Sequence, residues 1–292
     1  MDIKGAMVAI VTPFKDGRVD EYGLVRLIEF QIDNGIDAIV PCGTTGESAT
    51  LSYKEHERVI ELTIDAVKGR VPVIAGTGSN STEEAISLTK AAKKAGADAV
   101  LLITPYYNRP TQEGLFFHFK EIAKEVDIPQ ILYNVPSRTG VNLLPETVAR
   151  LSKIENIIGI KEASGSMRQV TEIIDMCGDD FVVLSGEDMN NFPIISVGGK
   201  GMISVVANVA PSDVANMWDA YEQNDYKKAR ELHYKTFPLS RDLFLETNPV
   251  PVKTALALMG MITGELRLPL APMLETNKKK LEKTLKLYGL LK

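Results

Sequence analysis

A lysine closes the apolar run Ile157-Ile158-Gly159-Ile160 and is followed at once by Glu162-Ala163-Ser164. The run is too short for a helix and reads as a strand buried on both faces, with Lys161 where the strand opens into a loop. Desolvation in such a mouth disfavours the ammonium, lowering its pKa from about 10.4 towards roughly 7–8, and a neutral amine there attacks carbonyl carbons. That is Schiff-base chemistry. A surface lysine marking a strand end is the commoner use of the residue type, so the other polar groups must decide between the two. Gly43-Thr44-Thr45-Gly46-Glu47 offers two hydroxyls and a close backbone approach suited to a carboxylate, and a plain tight turn has the same composition. Tyr133 supplies a phenol able to relay protons while a carbinolamine forms and dehydrates, or it reflects the strand propensity of tyrosine alone. Arg138, in the loop beyond it, carries a guanidinium fit for bidentate grip of a carboxylate or for a surface ion pair.

Strands must hold these groups. Apolar, β-rich runs occupy residues 7–11, 38–41, 71–75, 99–104, 130–134, 157–161, 181–185 and 201–205, each followed by a loop and a helical pattern. Capping boxes start helices at Ser52-Tyr53-Lys54-Glu55 and Ser81-Thr82-Glu83-Glu84, Pro145 and Pro211 suit first turns, and Gly35 and Gly96 mark left-handed C-caps. Eight βα units, with no Gly-x-Gly-x-x-Gly after the first strand, predict an α/β chain folded as a (β/α)8 TIM barrel and not as an open doubly wound sheet. The catalytic barrel is expected over residues 1–224, its last helix at 212–221. Helical patterns at 226–237, 251–259 and 277–288, broken by Asn248-Pro249, Pro269 and Pro272, predict that residues 225–292 are a C-terminal helical extension packed on the barrel. Chemistry in such barrels gathers at the C-terminal strand ends, which brings Thr44, Thr45, Tyr107, Tyr133, Arg138, Lys161, Gly186 and Ile203 to one mouth.

Composition excludes other classes. The 292 residues are 45% hydrophobic and 24% charged, as in an ordinary globular protein with an ample core. A net charge of −5 without long basic runs argues against nucleic acid, and Lys278-Lys279-Lys280 reads as a solvated helix face. Cys42 and Cys177 fit a reducing compartment without disulfides, and the lack of a signal-peptide core or a bilayer-length apolar stretch predicts a cytoplasmic protein with no membrane partner. His56, His118 and His233 are scattered without ligand spacing, so no metal is expected.

Together these residues resemble the pyruvate-dependent class I aldolases of the dihydrodipicolinate synthase and N-acetylneuraminate lyase family, from Val8-Ala9-Ile10-Val11-Thr12-Pro13-Phe14 to the helical tail. Thr44-Thr45 in the first motif, Tyr133-Asn134-Val135-Pro136-Ser137-Arg138-Thr139-Gly140 and Gly159-Ile160-Lys161-Glu162-Ala163-Ser164 match its synthase branch, whereas the lyase branch usually has Ser-Thr and lacks the arginine. The resemblance implies an imine between Lys161 and pyruvate, with Thr45 and its loop N–H groups on the pyruvate carboxylate and carbonyls near Gly186 and Ile203 positioning lysine and substrate. It further implies a proton relay of Thr44, Tyr133 and Tyr107, the last reaching in from a neighbouring subunit of a homotetramer built as a dimer of dimers. Arg138 would hold the carboxylate of L-aspartate 4-semialdehyde, and the condensation, on the route to diaminopimelate and lysine, would need no cofactor. Two other functions stay open, a lyase splitting a sugar-derived keto acid and a silent barrel that senses a keto acid or a protein partner. Ser48, Ala49, His56, Asn80, Glu84 and Tyr106 match the L-lysine effector site of sensitive relatives, where Glu84 would face an ammonium and Asn80 and Tyr106 the amino-acid end. Tyr53 departs from that pattern, since sensitive relatives often carry histidine there.

Overall fold

The computed structural model describes residues 3–292. Eight parallel strands form one sheet: β1 (Gly5–Ala9), β2 (Ala38–Val40), β3 (Ile74–Gly76), β4 (Ala99–Ile103), β5 (Gln130–Asn134), β6 (Ile157–Glu162), β7 (Val182–Ser185) and β8 (Gly201–Ser204). They pair in the order β2-β1-β8-β7-β6-β5-β4-β3. The ring closes between β2 and β3 through a parallel bridge from Ile39 to Val73, with Ile39 N–H donating to the Pro72 carbonyl at 3.0 Å and Gly76 N–H to that of Pro41 at 2.9 Å. The result is the expected (β/α)8 barrel.

Side-chain alternation along each strand builds two apolar layers. Met7, Val40, Ile74, Leu101, Ile131, Tyr133, Leu184 and Ile203 share one buried cluster, made almost wholly of strand residues, inside the barrel. Their neighbours Val8, Ile39, Ala75, Leu102, Leu132, Ile160 and Val183 belong to a second cluster against the helices. The first helix, Glu21–Asp33, shows why the helices face inward: Leu24, Leu27, Ile28 and Gln31 recur at three- and four-residue spacing and are buried, and the Asp20 side chain caps its start by accepting from Gly23 N–H at 2.9 Å. Leu239, Val250, Leu256, Leu281 and Leu285, from the C-terminal helices Tyr226–Asp242, Val250–Leu258 and Glu275–Tyr288, lie in that same outer cluster.

Two local expectations need correction, and one element goes beyond them. The box at Ser52 is complete, but at Ser81 only half forms: the Ser81 hydroxyl accepts from Glu84 N–H, while the Glu84 carboxylate turns away to the hydroxyls of Ser79 and Tyr53. Expected to end at residue 237, the first C-terminal helix continues through Pro238 to Asp242, because Leu239, Ser240 and Asp242 are buried and the Ser240 hydroxyl donates to the Thr236 carbonyl at 3.2 Å. A small antiparallel hairpin, Phe14–Lys15 with Arg18–Val19, was not anticipated; its signal is Asp16-Gly17, both at positive φ as a tight hairpin turn requires.

Candidate active site

β5 and β6 run in register with Tyr133 opposite Lys161, so two adjacent strand ends deliver an amine and a phenol to one place. The amine nitrogen lies 4.3 Å from the centroid of the Tyr133 ring. Lys161 is only 5% exposed. That burial is the main reason its pKa falls to about 8; the negative charge of Asp188 works the other way, and the positive charge of Arg138 adds to the fall. Asp188, which the sequence reading did not single out, is a buried and fully bonded anion. It accepts from Val205 N–H at 2.9 Å, Val206 N–H at 3.1 Å, the Asn191 amide at 3.1 Å and the Ser204 hydroxyl. Gly186 leaves the room that the lysine chain occupies, since a Cβ there would stand 3.0 Å from both Cε and Cγ of Lys161. Ile203 is buried in the barrel interior beside these groups.

Across the mouth, the Thr44 side chain lies near enough to the Tyr133 phenol to act on its titration, and both line one cavity. Burial pushes that phenol up to about 12, against the smaller opposing pulls of the Arg138 charge and of the Thr44 side chain, so at neutral pH it holds its proton. Within residues 43–47 the N–H groups of Gly46 and Glu47 donate to the carbonyls of Gly43 and Thr44, each at 3.1 Å. The N–H groups of Thr44 and Thr45 have no such partner among the described residues. Thr45 Oγ1 accepts from the Asn248 amide at 2.9 Å, which leaves the threonine's own hydroxyl hydrogen available to donate. Arg138 sits on the one-turn helix Pro136–Thr139, and its guanidinium donates to the Asn248 carbonyl at 3.3 Å. Asn248 thus links the hydroxyl turn to the arginine, a role that sequence reasoning missed because Asn248-Pro249 reads as a helix breaker.

A cavity of about 540 Å³ opens from Thr44, Tyr133, Arg138 and Asn248 towards the loops after β2, β3 and β4. Ser48, Ala49, His56, Glu84 and Tyr106 line its far part; Asn80 stands outside the lining and donates its amide to the Tyr106 carbonyl at 3.2 Å. Both oxygens of Glu84 are engaged, one by the Tyr53 phenol and one by the Ser79 hydroxyl, and these two bonds hold its carboxyl below the usual carboxylate range. His56 is buried, which lowers its pKa and favours the neutral ring over a bound cation. Tyr107 is different: it is 90% exposed at a positive φ of 71° and takes no part in lining the cavity. Its own chain does not carry it to Lys161. Among the described residues no group of three or more His, Cys, Asp or Glu side chains is placed to hold a metal ion, and no helix is long and apolar enough to cross a membrane.

This arrangement can form and protonate an imine beside a site for carboxylates. The sequence model of the dihydrodipicolinate synthetase family matches residues 2–288. A 4-hydroxy-tetrahydrodipicolinate synthase of Syntrophus aciditrophicus is 64% identical over 288 residues, 99% of each chain. The solved structure of the chloride-inhibited dihydrodipicolinate synthase from Acinetobacter baumannii complexed with pyruvate superposes with a TM-score of 0.97 at 48% identity, covering 99% of this chain and 100% of that one. That of the dihydrodipicolinate synthase from Cyanidioschyzon merolae with lysine bound gives 0.96 at 39% identity, over 99% of both.

Proposed function

The chain belongs to the dihydrodipicolinate synthetase family, and from that premise we propose how its mouth works. It is a Schiff-base-forming lyase of the class I aldolase type that condenses pyruvate with L-aspartate 4-semialdehyde to 4-hydroxy-tetrahydrodipicolinate, in the biosynthesis of diaminopimelate and lysine. With a pKa of about 8, roughly a tenth of Lys161 is neutral at pH 7, enough to attack the pyruvate ketone. Thr45 and the N–H groups of Thr44 and Thr45 take the pyruvate carboxylate, while Gly186 and Ile203 shape the floor under the new C–N bond. The Tyr133 phenol, paired with Thr44, gives a proton to the carbinolamine oxygen, which departs as water. Loss of a C3 proton turns the imine into an enamine, and its carbon adds to the aldehyde of the second substrate, whose carboxylate Arg138 binds. The second substrate's amine then closes the ring on the imine carbon and displaces Lys161.

Tyr107 completes the relay from a neighbouring subunit. Its full exposure supports that reading, since a phenol used within its own chain would be drawn into the mouth. The assembly we propose is a homotetramer, a dimer of dimers, in the cytoplasm, with residues 1–224 as the catalytic barrel and residues 225–292 as its supporting appendage. L-lysine is proposed to bind at Ser48, Ala49, His56, Asn80, Glu84 and Tyr106, with its ammonium at Glu84, and the lysine bound in the Cyanidioschyzon merolae structure supports this. Tyr53 and Ser79 already hold that carboxylate, so lysine must share it with them. The single observation that carries the mechanism is the buried amine of Lys161 beside a protonated phenol. Mixing the purified protein with pyruvate and L-aspartate 4-semialdehyde tests it: product must appear only with both substrates, and product formation by Lys161→Ala at the wild-type rate would refute it.

A further inference from the structure

We propose that the buried ion pair between Glu47 and Lys253 positions the turn that carries Thr44 and Thr45, anchoring it to the C-terminal extension. The inference rests on the reading of Lys161, Thr44 and Thr45 given above. Lys253 Nζ donates to Glu47 Oε1 at 2.6 Å, and the two side chains are 0% and 1% exposed. Glu47 Oε2 accepts from Arg267 N–H at 3.1 Å. Beneath the pair lies the Phe14 ring, whose centroid is 4.1 Å from Lys253 Nζ and 4.3 Å from the Arg267 guanidinium carbon. Arg267 in turn grips the two oxygens of Glu55 at 2.9 and 2.6 Å, and the negative charge of Glu265 also acts on Lys253 and Arg267.

Burying two charges is costly, and well-packed apolar residues of similar volume would join the extension to the barrel at least as firmly. What the pair adds is direction. A carboxylate held on both oxygens by donors from one segment leaves the left-handed backbone of Glu47, at φ 53°, a single orientation. Through that backbone the turn is fixed: Glu47 N–H donates to the Thr44 carbonyl at 3.1 Å, and the Glu47 carbonyl accepts from Thr50 N–H at 3.0 Å. Thr44 then meets the Tyr133 phenol, and Thr45 meets Asn248, which lies only a turn or so of chain before Lys253. Neither charge touches substrate in this scheme. Both are positioning residues, and the sequence signal for them is a lone lysine, the single charged residue of the helix Val250–Leu258.

The test compares wild type, Glu47→Gln, Lys253→Met, the double variant and Glu47→Asp by urea unfolding, by pyruvate adduct formation on Lys161 and by kcat and KM for pyruvate. Each neutralisation alone strands the other charge and lowers stability, and the double variant regains most of that loss. Its kcat/KM for pyruvate is nevertheless expected to stay about tenfold or more below wild type, since a misplacement of about 1 Å can cost about 100-fold. Glu47→Asp keeps the charge but withdraws the carboxylate by one methylene; it is expected to fold and to raise the pyruvate KM about fivefold or more. A double variant with wild-type stability and wild-type kcat/KM overturns the proposal, as does a folded Glu47→Asp with unchanged KM; should the double variant not fold, Glu47→Asp decides by the same criterion. Absence of any wild-type adduct on Lys161 overturns the reading of the site itself, whereas a normal wild-type adduct with unaltered variants overturns the positioning role alone.

Discussion

Replacing Lys161 by methionine should make the protein more stable, because the site holds its amine against the cost of burial. The fall from an ordinary lysine's 10.5 to about 8 has desolvation as its largest cause. At about 1.4 kcal/mol per pKa step, that gap is a penalty of roughly 3 kcal/mol carried by the folded state whenever the amine is charged in both states. The sign follows from the order of the two pKa values. Below about pH 8 lysine is protonated folded and unfolded, and the full penalty applies; between 8 and 10.5 the unfolded chain binds more protons, so wild-type stability rises relative to the variant; above 10.5 the penalty is gone. Methionine has a similar length, no charge and a flexible thioether that can lie beside the Tyr133 ring and Gly186. Urea unfolding followed by the fluorescence of the sole tryptophan, the buried Trp218, reads the difference at fixed protein concentration. Lys161→Met is expected to be more stable by roughly 2–3 kcal/mol near pH 7, with the gap closing as pH approaches 10. A variant less stable than wild type at pH 7, or a gap indifferent to pH, would refute the desolvated amine.

Arg138→Ala is expected to leave pyruvate trapping on Lys161 largely intact while slowing condensation by one to two decades, the equivalent of about 1.5–3 kcal/mol for a lost charge-assisted contact; equal loss of both reactions, measured side by side, would assign Arg138 to loop support instead. Mixing inactive Tyr107→Phe with inactive Lys161→Ala should restore part of the activity, because one composite site in the hybrid regains both groups, and no recovery despite demonstrated subunit exchange would argue against a shared site. L-lysine in the millimolar range should inhibit the wild type partially, since Tyr106 adjoins Tyr107 in the chain, and Glu84→Ala should weaken that inhibition; a variant titration curve identical to wild type would remove Glu84 from the effector site.

The strands were legible because each is apolar on both faces, yet some of their ends were not. Ile10 and Val11 continue the first apolar run and are buried, but β1 stops at Ala9 because Val11 N–H is taken by the Asn208 side chain at 3.1 Å. In the third run Pro72 has no N–H to offer a ladder and Val73 N–H goes to the Asp98 carboxylate at 2.8 Å, so β3 begins only at Ile74. Lys161, Tyr133 and Thr44 were legible as polar groups gathered at one end of the strands, where one residue's type and its place in the βα unit carry the signal. Asn248 and Lys253 were not, because their meaning depends on Thr45 and Glu47, 203 and 206 positions away. Glu84 shows the opposite failure: a local capping pattern predicted its partner, and Ser79 in the preceding loop and the distant Tyr53 took its place.

Borohydride reduction of the protein in the presence of pyruvate tests the central claim most directly, because an imine reduced in place becomes a stable secondary amine. Peptide mass spectrometry is expected to find the pyruvate-derived mass on Lys161, and to lose it when Lys161 is replaced by alanine. An adduct on another lysine, or none under conditions where the protein turns over both substrates, would contradict imine catalysis at Lys161.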